Sequence, residues 1–254
     1  MNFFQSLGTP NQRIPAEERR SLALAGRDVP LTVRANPRAR RLTLRIEPGG
    51  HALCLTVPPR TRRRDVDAFL ERHHAWAAEK LKRLPPVPLV EIGACVPVAD
   101  VPHRIVHSGK LRGLTRIEGG EGDDGPTIVV SGPQDRVGAR VADYLRTRAR
   151  GEIEPLVERY AARVGRMPKA VRLKDTRSRW GSCTVDGTLA FSWRLAMAPP
   201  AILDALAAHE VAHLVHMNHG AAFWALAREL CPATEDARAW LRLHGSALHA
   251  YRFG

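Results

Sequence analysis

The chain has 254 residues, 44% of them hydrophobic, enough to bury a full core in one or two domains. Its four cysteines, Cys54, Cys95, Cys183 and Cys231, are widely spaced without a C-x-x-C pair, which argues against a disulfide framework or a zinc ribbon and for free thiols in a reducing cytosol. The opening MNFFQSLGTP lacks a basic start followed by an apolar run, and no stretch approaches the ~20 apolar residues of a membrane span, so we expect a cytoplasmic protein with no membrane partner.

The net charge of +13 is uneven. Residues 1–150 hold 26 Lys+Arg against 16 Asp+Glu, and residues 151–254 hold 13 against 10. The excess lies chiefly in residues 34–64, where Arg38, Arg40, Arg41, Arg62, Arg63 and Arg64 are candidates for a nucleic-acid or nucleotide-binding patch. An arginine-rich solvated surface accounts for them equally well.

Taken in order, residues 1–30 show no sustained period and read as a loose lead-in. Residues 41–47, RLTLRIE, alternate strictly, so Leu42, Leu44 and Ile46 share one face and Arg41, Thr43 and Arg45 the other. A Pro48-Gly49-Gly50 turn and the returning Leu53, Leu55 and Val57 complete a β-hairpin. Thr61 can cap a helix running to about Leu84, with Val66, Phe69, Leu70, His73, Ala77 and Leu81 inward. Pro85-Pro86-Val87-Pro88 is a stiff linker, and short strands follow to residue 131, interrupted by an acidic, Gly-rich loop at 119–125.

Helical periodicity starts near Pro133 and resumes after Gly151, a candidate kink, to end at Gly165. A short strand at 171–174, the Asp186-Gly187 turn and the strand 188–195 form a second β region. Pro199-Pro200 opens a helix expected to run to about Met217. Two more helices follow, Ala221–Leu230 and about Glu235–His249.

The helix after Pro200 carries His209-Glu210-Val211-Ala212-His213. His209 and His213 at i and i+4 project from one face, the spacing that clamps one Zn²⁺, and Glu210 beside them can take a proton from water. Ile202, Leu206, His209, His213 and Met217 recur at three- and four-residue steps, which places both imidazoles on an inward stripe. His219 lies ten residues after His209, where a third imidazole returns in H-E-x-x-H-x-x-G-x-x-H proteases. From composition, H-E-x-x-H arises by chance in roughly one chain in forty, and with the third His in about one in a thousand.

RSRWGSC (177–183), FSWRL (191–195), AHEVAHLVHMNH (208–219), FW (223–224), RARRLTLRIEP (38–48) and LTVPP (55–59) resemble the YgjP-like metallopeptidase domain, a relative of SprT-like zinc proteins. The resemblance covers about residues 31–249 and implies an α+β protein. Its small β-rich N-terminal domain with one helix, 31–131, would precede a zincin-like metallopeptidase domain, 132–254, with a β-hairpin and an active-site helix. The resemblance also implies one zinc per chain on His209, His213 and His219, with Glu210 as general base acting on a peptide or protein substrate. One departure matters: His216 stands where the longer metzincin pattern has Gly. His216 is a rival third ligand, and Glu229 or Glu235 weaker ones. His219 is favoured because three ligands from one straight helix would enclose zinc poorly. Arg179 and Arg194, flanking the hairpin before the helix, are candidates to bind the oxyanion or a substrate carboxylate, with cation–π packing on Trp180 or Trp193 as the structural alternative. The strand 188–195 is expected to pair with an extended peptide. Two other classes stay open: a zinc hydrolase of nucleotides or phosphoanhydrides, and a nucleic-acid-tethered protein with partner-gated proteolysis.

Overall fold

The computed structural model describes residues 12–24, 26–47, 50, 52–83, 88–119, 125–176 and 179–254, arranged as two compact units that divide between Val87 and Pro88. The Pro48-Gly49 turn, the linker residues 85–87, most of the acidic loop and Arg177-Ser178 lie outside the described residues.

The first unit is one mixed sheet with a helix. Strands β1 (Glu17–Leu24), β2 (Arg27–Ala35), β3 (Thr43–Ile46) and β4 (Leu53–Val57) lie in the order β1-β2-β4-β3, with β2 and β4 parallel and the outer pairs antiparallel. The expected hairpin is β3–β4, with Leu44 opposite Leu55. Helix α1 (Arg63–Lys82) packs Val66, Leu70, Ala77 and Leu81 into a core with Leu22, Leu31, Val33 and Leu55. It carries no side-chain cap: Thr61 instead donates its hydroxyl to the Pro58 carbonyl at 2.7 Å.

Residues 17–24 and 27–30 are therefore strand rather than lead-in. Their period is masked because two inward positions of β1 carry charges instead of apolar groups. Glu18 accepts two hydrogen bonds from Arg63 of α1, at 2.7 and 2.9 Å, and Arg20 donates to Asp67 at 2.8 Å. Hydrophobic alternation shows only at Leu22 and Leu24. The same pairing removes Arg63 from the expected basic patch, because its side chain is only 6% exposed. Arg38, Arg40, Arg41, Arg62 and Arg64 are exposed.

The second unit holds two sheets and four helices among the described residues. Strands β5 (Cys95–Val98), β6 (Val101–His107), β7 (Arg116–Glu118) and β8 (Thr127–Val130) form a sheet ordered β5-β6-β8-β7. This sheet was expected with the N-terminal domain. Its inward Val96, Val98, Ile105, Ile128 and Val130 instead share one core with the C-terminal helices, so the division falls at 87/88 and not at 131/132. Helix α2 (Val137–Val164) is a continuous 28-residue spine burying Val141, Leu145, Ile153 and Val157. Gly151 does not break it, although Pro155 four residues on cannot donate to the Gly151 carbonyl.

Strands β9 (Ala170–Lys174), β10 (Gly181–Cys183) and β11 (Thr188–Ser192) form a small sheet ordered β10-β11-β9, with β11 internal. A 3₁₀ turn at Trp193–Met197 leads into α3 (Pro200–Ala212), followed by α4 (Ala221–Leu230) and α5 (Thr234–Leu248). Helix α3 ends five residues before the expected Met217, which is exposed. It is also buried on most sides, not on one stripe: Ala205, Ala207, Ala208, Val211 and Ala212 are all in the core. No described helix is long and apolar enough to cross a membrane.

Cutting one member of the inward charge pair leaves the other buried without its partner. Glu18→Ala is expected to destabilise the first unit by roughly 3–5 kcal/mol. The neighbouring Glu17→Ala, at an exposed ion pair with Arg34, should be nearly neutral. Chemical denaturation of the two variants, followed by circular dichroism, checks the contrast.

Candidate metal centre

Helix α3 places His209 and His213 one turn apart, and the chain then has to reverse to return His219. The reversal is built from short-range bonds. Val215 donates its backbone N–H to the Ala212 carbonyl at 3.1 Å, and Leu214 to Val211 at 2.9 Å, so the helix tightens to a 3₁₀-type end. The His216 carbonyl turns back to accept the His213 Nδ1–H at 3.0 Å. That bond fixes the His213 tautomer and frees its Nε2. His216 thus serves through its backbone, and its ring is not part of the cluster.

His209, His213 and His219 each offer a ring nitrogen, and these atoms all lie within 4.8 Å of one another. Among the described residues they are the only group of three or more His, Cys, Asp or Glu so placed. The His209 and His219 Nε2 atoms face each other at 3.2 Å. Two nitrogens about 2.0–2.1 Å from one tetrahedral zinc would stand about 3.3–3.4 Å apart, so the spacing fits a shared ion. The protonation states fit as well. Burial, reinforced by His213, His219 and Arg238, pushes His209 down to about 3. Burial likewise lowers His213 against its bond to the His216 carbonyl. Both imidazoles are neutral at pH 7, the form a metal binds.

Aromatic rings hold the three imidazoles. Phe223, fully buried on α4, stacks on His213 with centroids 4.4 Å apart and meets His209 and His219 edge-on at 4.9 and 4.7 Å. Trp224 stacks on His219 at 5.4 Å and is itself covered by the Arg238 guanidinium at 4.4 Å. The spacing of the Phe-Trp pair after His219 gave no sign of this clamp.

Glu210 is 4% exposed, and its Oε2 has no hydrogen-bond partner. Burial pushes its carboxyl up to about 8, opposed by Arg179. A dication beside it would act in the opposite direction. The carboxyl fits only because residue 181 is glycine: a Cβ there would lie 2.7 Å from both Cγ and Cδ of Glu210. Trp180 next to it packs over Gly245 of α5, where a Cβ would approach the indole to 2.9 Å, and against His249. These two glycines let β10 and α5 close around the Glu210 carboxyl and Trp180, a role that becomes visible only in three dimensions.

His209, Glu210 and His219 open into a cleft of about 370 Å³ whose walls include Trp180, Leu206, Ala237 and Leu241, with Arg179, Arg238 and Arg242 also lining it. Arg194 does not reach it. Its guanidinium donates to Asp175 at 2.7 and 3.2 Å and to the Leu248 and Tyr251 carbonyls at 3.0 and 3.1 Å, while lying over the Trp193 ring at 4.8 Å. All three guanidinium nitrogens are engaged in tying the 3₁₀ turn after β11 to Asp175 and to the C-terminal residues, which is the structural alternative for Arg194. The strand β11 also has no free edge, because β10 and β9 flank it; the edge beside the cleft is β10. Of the other rivals, Glu235 pairs with Arg238 at 3.0 Å, and Glu229 is absent from the cluster.

A model of the YgjP-like metallopeptidase domain matches residues 40–244, which span both compact units. The chain is also similar to the crystal structure of the metallopeptidase zymogen of Pyrococcus abyssi abylysin, at 19% sequence identity and a TM-score of 0.33, over 36% of this chain and 94% of that one. No curated protein matches.

Gly181→Ala should push the Glu210 carboxyl aside while leaving the three imidazoles in place. We expect metal binding to persist and turnover of a cleavable peptide to fall by about 10²-fold, the usual cost of an ångström-scale misplacement. Paired metal titration and rate measurement on this variant check it.

Proposed function

The chain belongs to the YgjP-like metallopeptidase family, and from that premise we propose that it hydrolyses peptide bonds with one zinc ion held by His209, His213 and His219 and with Glu210 as general base. The observation that carries this reading is the convergence of three imidazoles within reach of one ion, two of which, His209 and His219, open into the same cleft as a buried carboxyl with an unpartnered oxygen.

When bound, zinc would polarise the scissile carbonyl and lower the pKa of a water to about 7. Three histidines with no fourth protein ligand among the described residues match the donor set of catalytic rather than structural sites. Glu210 takes the proton of the attacking water at its free carboxylate oxygen and returns it to the leaving amine. The desolvation that raises its proton affinity suits it to that acceptance. Arg179, the cation that acts on Glu210 and lines the same cleft, would meet developing negative charge on the substrate. An extended peptide would add its backbone to the edge of β10, bringing the scissile bond over Glu210. A nucleotide or phosphoanhydride hydrolase is the second reading, favoured by the arginines around the cleft.

Two measurements test the proposal. Purified protein should carry close to one zinc per chain, and His213→Ala should lose it, because no neighbouring donor replaces the imidazole. Stoichiometric zinc in a His209→Ala/His213→Ala double variant would overturn the ligand assignment. Glu210→Gln should keep zinc and lose hydrolysis by 10²–10⁴-fold or more, since an amide accepts no proton at neutral pH. Wild-type turnover in that variant would remove Glu210 from the mechanism, and hydrolysis of nucleoside triphosphates but of no peptide would favour the second reading.

A further inference from the structure

The cleft carries more positive charge than hydrolysis requires. Three arginines, Arg179, Arg238 and Arg242, line it against one acid, Glu210. Glu210 is buried and makes no ion pair with them. Arg238 is answered by Glu235 and by the Trp224 ring. Among the described residues, no acidic side chain pairs with Arg179 or Arg242.

Their placement is not that of ordinary surface cations. Arg179 precedes β10 and Arg242 sits on α5, so two separate elements deliver unpaired guanidiniums to one concavity. Arg238 and Arg242 are also one turn apart on α5, a like-charge i,i+4 pair that weakens a helix rather than stabilising it. A cleft with apolar walls and one sign of charge focuses its field and concentrates ligands of the opposite sign. A bound dication would add to that field. The volume of about 370 Å³ lies at the small end of ligand sites and suits one or two residues of a chain.

We propose that this cleft selects peptides bearing a carboxylate beside the scissile bond, with Arg179 and Arg242 as the residues that read it. The inference rests on the peptidase reading above. A carboxylate matches the fork of a guanidinium in two parallel hydrogen bonds, and the methylenes of an Asp or Glu side chain lie against Leu206 and Leu241. A chain-terminal carboxylate offers the same chemistry, so the test must separate the two sources.

The experiment uses zinc-loaded full-length protein and peptides identical except at one position, which is scanned across the scissile bond as Glu, Gln or Lys, each with a free or an amidated C-terminus. At low salt, Glu at one position should exceed Gln by about tenfold in kcat/KM, and the preference should shrink as salt rises. Dependence on the free C-terminus instead would assign the carboxylate to the chain end. Arg242→Glu should erase or invert the preference, with Lys peptides gaining, and Arg179→Glu should erase it while lowering turnover of every peptide; Arg242→Gln, a milder change at an exposed position, should halve the preference or more. Circular dichroism and zinc content of each variant establish that the fold persists. Equal cleavage of Glu, Gln and Lys peptides whatever the terminus would overturn the proposal and leave the peptidase reading standing. A preference that survives both charge reversals would overturn the assignment to these arginines. Cleavage of no peptide, with hydrolysis of nucleoside triphosphates, would overturn both readings.

Discussion

Three imidazoles have to meet at one point, and a straight helix can supply only two of them well. Most of the second unit is organised around that constraint. Helix α3 stops at Ala212 by tightening its last bonds, and the carbonyl of His216 is spent on orienting His213. The chain returns through His219 directly into α4, whose Phe223 fills the space between the three rings. Phe223 is therefore both a core residue and the support of the site. Packing in such an interior is close to crystalline, so ring positions are set by contact and not by a bound ion alone.

The second requirement is a dry place for Glu210. A carboxyl is costly to bury without partners, and here one oxygen has none. The fold tolerates this because α3 is held on several sides, by the long α2 spine, by α4 and α5, and by β10, where Gly181 leaves room for the side chain. Gly245 performs the matching service for Trp180 across the cleft. The unpartnered Glu210 oxygen and three arginines share the cleft into which His209 and His219 open. A buried, unpartnered polar group inside a cleft is characteristic of functional sites.

The first unit follows a different logic. Its apolar core is ordinary, but the seam between β1 and α1 is made of two crossed ion pairs, Glu18–Arg63 and Arg20–Asp67. Such pairs contribute little net stability compared with apolar packing, yet they penalise every register that leaves a charge buried alone. They also show why a count of basic residues is a poor guide to a binding surface. Arg63 and Arg194, two of the arginines picked out by position in the chain, are committed internally, whereas Arg242, which no motif marked, faces the cleft.

Local signals in the sequence determined what local physics controls. The β3–β4 hairpin followed from strict alternation, and the pairing of His209 with His213 from the helical repeat. The third imidazole was legible because its spacing implies a reversal after the helix. Tertiary structure decided the rest. Residues 17–24 hid their strand behind inward charges whose partners lie about 45 residues away in α1. The strands of 95–130 joined the C-terminal core because their apolar faces found α2, a choice no local pattern encodes. The fate of each arginine, the glycine that admits Glu210 and the aromatic clamp on the histidines all depend on which distant group comes within a few ångströms. Only the folded chain settles that, since burial and partnership are properties of pairs and not of single residues.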